Sequence, residues 1–438
     1  MMSRKSSFAV ALVALAACSA TPKGTLVLTT GGETGIFSRA PVPTKLYVDA
    51  LGKDGGASRL VTAKLPADNV DLGDQSANAI VSLHVTAVDD AETILIEGTS
   101  VPVQLGALAD LGLPVFVQRN GEFARLPSPF SEVRDAPLSA LVIGRYLLVA
   151  GGSDTAKATH SQLYDFGSLS PFESPPILPR APRSMAALGT KVLLVDDAGA
   201  SWFQLADSTF SDATAPSGGS FAEVAGGRTI IGSDKTLWIV GGTRAKGDAT
   251  LRVLRVGTDA SLSFVALTAA RLGASAAWVE GRGVVVAGGS TTAAGLEILG
   301  AGASAATALP FPPDPTSGQA ACALDGSHLL LTGGSDPSGT TPPSRVADLT
   351  CGSGCAPAGW TARLPSPFPQ AQLFAIDANT AFFVGDDPAG LTRAFRLTAN
   401  ASTEVMLKVP RHGARAIATY GGSIALVGGA PELEYFIP

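Results

Sequence analysis

The sequence predicts an all-β protein: a seven-bladed β-propeller occupying the last three quarters of the chain, preceded by a small N-terminal β-sandwich-like domain. Three observations carry this. Apolar runs ending in Gly-Gly, or in an acidic substitute for it, recur about every 45 residues. Each is preceded by a tight turn and a strand of small residues. Finally, 50 glycines and 30 prolines punctuate a 438-residue chain that is 46% hydrophobic, so the apolar material must come in short runs between turns.

The runs are YLLVAGG at 146–152, LWIVGG at 237–242, VVVAGG at 284–289, LLLTGG at 329–334 and IALVGG at 424–429. VLLVDD at 192–197 and AFFVGD at 381–386 are degenerate copies. The first residues of the terminal pairs fall at 151, 196, 241, 288, 333, 385 and 428, in steps of 45, 45, 47, 45, 52 and 43. Small-residue strands precede them, as in SMAAL at 184–188, ASAAW at 274–278 and QAACA at 319–323. Gly189, Asp234, Gly281, Asp325-Gly326, Asn379 and Gly421-Gly422 mark the joining turns. The heptapeptide ARLPSPF occurs twice, at 124–130 and 362–368.

Four short strands cannot bury both faces of a sheet alone, but sheets set radially cover one another. Strands nearest the axis are crowded and small. The second strand is buried on both faces and so reads as a continuous apolar run. The glycine pair supplies backbone angles closed to other residues, and Asp196, Asp197 and Asp386 are expected to reach the left-handed region in its place.

This pattern resembles the kelch repeat. LYD at 163–165 matches that family's tyrosine strand, and GWTARLP at 359–365 its tryptophan strand. The likeness covers residues 113 to 438 and implies a propeller closed by an N-terminal strand. After Gly429 only one strand remains, so the seventh blade needs its outermost strand from elsewhere. The candidate is VFVQRNGEFARL at 115–126, with a hairpin signal at Asn120-Gly121. Ahead of it, residues 24–112 read as a small β-rich, sandwich-like domain, with strands at Thr25 to Thr30, Lys45 to Ala50, Arg59 to Leu65, Ile80 to Val88 and Thr93 to Glu97.

Arg4 and Lys5 precede an apolar run from Phe8 to Ala17, too short for a bilayer core of ~30 Å, so residues 1–17 read as a signal peptide. LAAC at 15–18 resembles the bacterial lipobox, which implies lipidation of Cys18, a tether over 18–23, and a cell-envelope address at the outer membrane, facing the periplasm or the cell surface. Membrane association is then expected through the N-terminal lipid only. Ser19, in place of an Asp, leans the same way.

Net charge -6 and a pI near 5.3 leave no basic surface to neutralise phosphates, which argues against nucleic acid as a partner. Histidines 84, 160, 328 and 412 are scattered, and no catalytic residue, metal set or cofactor site is expected. Cys351 and Cys355 are expected to close a small hairpin disulfide, and Cys322 to be a buried free thiol. Antiparallel order puts the loop after Gly-Gly and the connection between blades on one face. That face is expected to gather Asp154, Arg183, Asp197, Arg244, Arg271, Asp336, Asp387 and Arg411 into a mixed polar rim. The expected function is a non-catalytic binding or scaffolding module for a protein or glycan ligand of the envelope. A carbohydrate-binding or glycan-active propeller is the alternative, and arginines that merely brace neighbouring blades are the plain reading of the basic positions.

Overall fold

The computed structural model describes residues 25–53, 55–67, 69–72, 79–105, 112–241 and 249–438. Among these, each of the seven repeats forms one antiparallel sheet, with its strands paired in chain order. In the second sheet Ser184–Leu188, Lys191–Val195, Ala200–Gln204 and Thr209–Ala213 follow one another across the blade. The first strands of the seven blades are Leu138–Val142, Ser184–Leu188, Arg228–Ile231, Ser275–Val279, Ala320–Ala323, Gln372–Asp377 and Arg415–Ala418. Each lies against the first strand of the next blade, and the seventh against the first, so the ring is closed.

Core packing explains the unbroken apolar runs. Along the second strand of blade 1, Leu147 and Val149 pack with Ala425, Val427 and Tyr435 of blade 7. Leu148 and Ala150 point the other way, to Met185, Val192 and Leu194 of blade 2. There the alternation repeats, with Leu193 and Val195 turned to Leu237 and Ile239 of blade 3. Period-two side chains with a neighbour on both faces leave no position for a polar residue. Each Leu or Val so buried contributes about 1.5–3 kcal/mol, which is what holds adjoining blades together.

The glycine pairs adopt the angles that only glycine takes readily. Gly288 and Gly289 have φ of 76° and 73°, and Gly428 and Gly429 have 93° and 69°. A Cβ on Gly288 would stand 2.5 Å from the Thr316 carbonyl oxygen. The acidic substitutes behave otherwise: Asp196, Asp197 and Asp386 are not left-handed. In blade 2 the Asp196 carboxylate instead accepts the amides of Ala198 and Gly199, at 2.8 and 2.7 Å, so a side-chain acceptor makes the turn without inverting φ. In blade 6 the strand Thr380–Asp386 runs straight through the position.

Blade 7 is completed by a single N-terminal strand, Phe123–Arg125, antiparallel to Glu434–Phe436. The ring of Phe123 packs on Phe382 of blade 6 and Phe436 of blade 7. The segment thus donates one strand and not two, and the residues before the Asn120-Gly121 turn belong elsewhere. Gly112–Phe116 pairs parallel with Thr25–Thr29, and Gln118–Arg119 pairs with Ile96 and Glu97. The reason lies in Arg119, buried and bonded through its guanidinium to the carbonyls of Ile36 and Pro41. The turn at Asn120-Gly121 therefore hands the chain from one sheet to another.

Before the ring, two sheets face one another. Asn69–Asp71, Thr25–Thr29 and Gly112–Phe116 form one, and Ala57–Lys64, Lys45–Leu51, Ile80–Val88, Ile94–Thr99 and Gln118–Arg119 form the main path of the other. Leu26, Val70 and Val115 from the first share a core with Leu46, Val48, Leu83, Val85 and Ile96 from the second. This part meets the ring where Phe116 stands edge-on to Tyr435 and Thr99 lies against Gly421. Gly421 lies in the turn between the first two strands of its blade, on the side away from the Gly-Gly loops.

Candidate functional site

The first strand of every blade starts at the Gly-Gly side, so that face carries both the loops after the second strands and the connections between blades. Cys18 and Arg244 lie outside the described residues. The other expected rim residues divide into three groups.

Asp154, Asp336 and Asp387 serve their own loops. Asp154 accepts from the Ala156 amide at 3.0 Å, Asp387 from Ala389 and Leu391, and Asp336 from the amides of Ser338 and Thr340. The Ser338 hydroxyl and these amides hold the Asp336 carboxyl below its ordinary range. Arg183 and Asp197 pair with each other at 2.6 and 2.8 Å, between the end of one connection and the following loop. These groups line the face, with most of their bonding capacity turned inward.

Arg271 and Arg411 are not on the face at all. Arg271 is 1% exposed and Arg411 0%. Arg271 donates through Nε to Glu297, itself 0% exposed, at 2.7 Å and through Nη1 to the Gly288 carbonyl at 2.7 Å. Arg411 repeats the arrangement, with Nε on Glu434 at 3.1 Å and Nη1 on the Gly428 carbonyl at 3.0 Å. Arg134 makes the same bond to the Gly151 carbonyl, at 3.1 Å. Burial pushes the Arg411 guanidinium below its ordinary value, which Glu434 partly offsets. These arginines brace the Gly-Gly turns from beneath, since an inverted turn leaves its carbonyl facing inward where only a long cationic donor reaches it.

Two further arrangements on this face do present chemistry outward. At the axis, the half-buried Arg228 begins the first strand of blade 3 and donates through Nη1 to the Ala371 carbonyl at 2.6 Å. Ala371 precedes the first strand of blade 6, so the side chain reaches across the ring. Arg415, at the same level in blade 7, pairs with Asp386 at 2.7 Å, and the Thr392 hydroxyl holds the other oxygen of that carboxylate at 2.6 Å. Burial, and then the charge on Arg415, push Arg228 down to about 10. Off the axis, a cleft of about 260 Å³ opens between blades 4 and 5. Phe311, Pro312, Pro313, Pro315 and Pro342 form its walls, with Arg345 and Asp336 at its edge. Arg345 Nη2 is held by Asp314 at 2.6 Å and Gln319 at 2.9 Å, while its buried Nη1 has no partner.

On the opposite side of blade 5, Cys351 and Cys355 are bonded in the loop that follows the third strand. Cys322 is free and buried, and burial pushes its thiol up to about 12. Among the described residues no three His, Cys, Asp or Glu side chains converge as a metal site would require.

Neither a protein-family model nor a curated protein matches the chain. Solved structures are similar to it over most of its length. A chain of the mitotic checkpoint complex aligns with a TM-score of 0.48 and 13% identity, over 73% of this chain and 95% of that one. The WD40 β-propeller domain of Doa1 gives 0.47 and 9%, over 72% and 97%. BBS1N, solved in complex with ARL6DN, gives 0.44 and 9%, over 71% and 94%.

The sequence placed Arg271 and Arg411 on the rim and did not single out Arg134 or Arg228. Arg134, Arg271 and Arg411 each stand 17 positions before the first glycine of a pair, at 151, 288 and 428, and that spacing is readable without a structure. Arg228 has no comparable signal, because what distinguishes it is the residue three blades away that it touches.

Proposed function

We propose that the chain is a non-catalytic binding or scaffolding protein that engages a protein partner through its Gly-Gly loop face. The observation that carries this reading is the proline-walled cleft between blades 4 and 5, with the axial arginines on the same face. Rigid proline and phenylalanine surface with a few fixed donors suits a polypeptide segment, because it offers apolar contact at little ordering cost. The N-terminal sheets meet the ring at blade 7, at the Gly421 turn and along its outermost strand, where Gly32 and Glu33 bond to Arg125. The likeness to kelch repeats is of the same kind, a sequence resemblance carried by the glycine pairs and the segments around Tyr164 and Trp360; Tyr164 lies in the third strand of blade 1, whereas Trp360 lies outside any strand and blade 5 has three strands.

The address belongs to the same proposal. Lipidation at Cys18 would anchor the chain to the envelope, most simply at the outer membrane, since each buried methylene contributes about 0.8 kcal/mol and two or more acyl chains suffice for stable attachment. Replacing Cys18 by Ala is expected to abolish incorporation of labelled palmitate and to release the chain from the membrane fraction; label retained by the variant would refute the anchor.

The binding reading is tested with Pro313→Lys and Pro342→Lys together, followed by capture from envelope extracts. Loss of a partner retained by the unaltered chain is expected. An unchanged set of captured proteins contradicts the cleft, and specific binding on a glycan array in place of a protein partner overturns the class of ligand.

A further inference from the structure

We propose that the axial mouth of the loop face is a carboxylate-binding site in which Arg228 receives an acidic side chain of a polypeptide. The inference rests on the loop-face reading and names what one part of that face recognises. Arg228 is half-buried, and among the described residues no carboxylate pairs with it. Its one acceptor among the described residues is the Ala371 carbonyl, which satisfies Nη1 and leaves Nε and Nη2 for an incoming group. Arg415 adds a second guanidinium at the same level, but Asp386 already neutralises it. The mouth therefore carries one uncompensated positive charge, removed from much of its water and set beside another cation. A guanidinium in that position is costly until an anion arrives, and its planar fork matches a carboxylate.

The charge count and surroundings choose among anions. A single open cation balances a monoanionic carboxylate better than a dianionic phosphate. The cleft on the same face is apolar and proline-walled, which favours an acid carried on a polypeptide over one carried on a hydroxyl-rich sugar.

The test is titration of the purified full chain, at constant ionic strength, with a capped Ala-Ala-Glu-Ala-Ala peptide, its Gln counterpart, glucuronate and inorganic phosphate, read by calorimetry. The Glu peptide is expected to bind at least five times more tightly than the Gln peptide, and Arg228→Met to remove that preference. Arg396→Met, on the exposed face of the blade 6 strand Thr392–Thr398, is expected to leave it intact. Arg228→Met is also expected to leave the unliganded thermal midpoint unchanged or higher, because it removes an unpaired charge. Equal binding of the two peptides overturns the proposal. So does binding of glucuronate or phosphate without the Glu peptide, and so does a midpoint several degrees lower in Arg228→Met, which would make the residue a brace. A partner captured through the cleft with no Glu-dependent peptide binding overturns the axial site alone.

Discussion

Arg411→Met separates a bracing arginine from a ligand-binding one. The guanidinium and Glu434 are both fully buried, and the carboxylate also accepts the amides of Lys408 and Val409, each at 2.9 Å. Methionine keeps the aliphatic stem but leaves a buried carboxylate without its cation and the Gly428 carbonyl without its donor. Removing one partner of a buried pair costs about 3–5 kcal/mol. The two surviving amide bonds keep the cost within that range. With an unfolding entropy of ~2.1 cal/mol/K per residue over the roughly 320 residues of the ring, this lowers the thermal midpoint by about 4–7 °C. Adding Glu434→Gln removes the stranded charge and is expected to recover roughly half of the loss. Scanning calorimetry of the wild type, Arg411→Met and the double variant measures all three. A midpoint within about 2 °C of wild type for Arg411→Met, together with lost partner capture, would refute the bracing role and return Arg411 to the binding rim.

Three further outcomes follow from the same packing. Gly288→Ala forces a Cβ to 2.5 Å from the Thr316 carbonyl oxygen at φ of 76°, whereas Gly281, at φ of 74°, faces open space. Denaturant unfolding is expected to show a loss of about 1–3 kcal/mol or more for Gly288→Ala, at least twice that for Gly281→Ala. Cys351→Ser with Cys355→Ser opens a loop of sequence separation 4 and is expected to cost about 2 kcal/mol by loop entropy, with no change in partner capture. Asp314 is held below the usual carboxylate range: burial alone would raise it, and Arg345, Thr316 and Gln319 outweigh that. Its contribution is therefore present above the unfolded value near 4 and is lost as pH falls through the lower folded value. The difference in midpoint between wild type and Asp314→Asn should shrink from pH 7 to pH 3, and a constant difference would contradict the assignment.

The all-β class and its order of sheets were legible because the ring imposes a repeated local demand: a small first strand, a fully apolar second strand, and an inverted turn. Each demand selects residue types, so LLLTGG and IALVGG announce themselves. The acidic substitutes were misread for the opposite reason. Asp196 satisfies turn amides with its side chain, an option that composition alone does not reveal. The site was harder to read because burial of a polar residue depends on partners distant in sequence. Arg271 and Arg411 sit in connections that look exposed, and only Glu297 and Glu434 from the third strands show them to be interior. The handover at Asn120 was hidden in the same way, by carbonyls of residues 36 and 41.

The most direct test of the functional account places a photo-crosslinking residue at Pro313 on the loop face, or at Ala378 in the turn between the first two strands of blade 6 on the other face, in chains expressed in intact cells. Both positions are exposed, so labelling differs only by which face meets the partner. A discrete protein adduct from position 313 and none from position 378 is the predicted result. An adduct from 378 with none from 313 would contradict it.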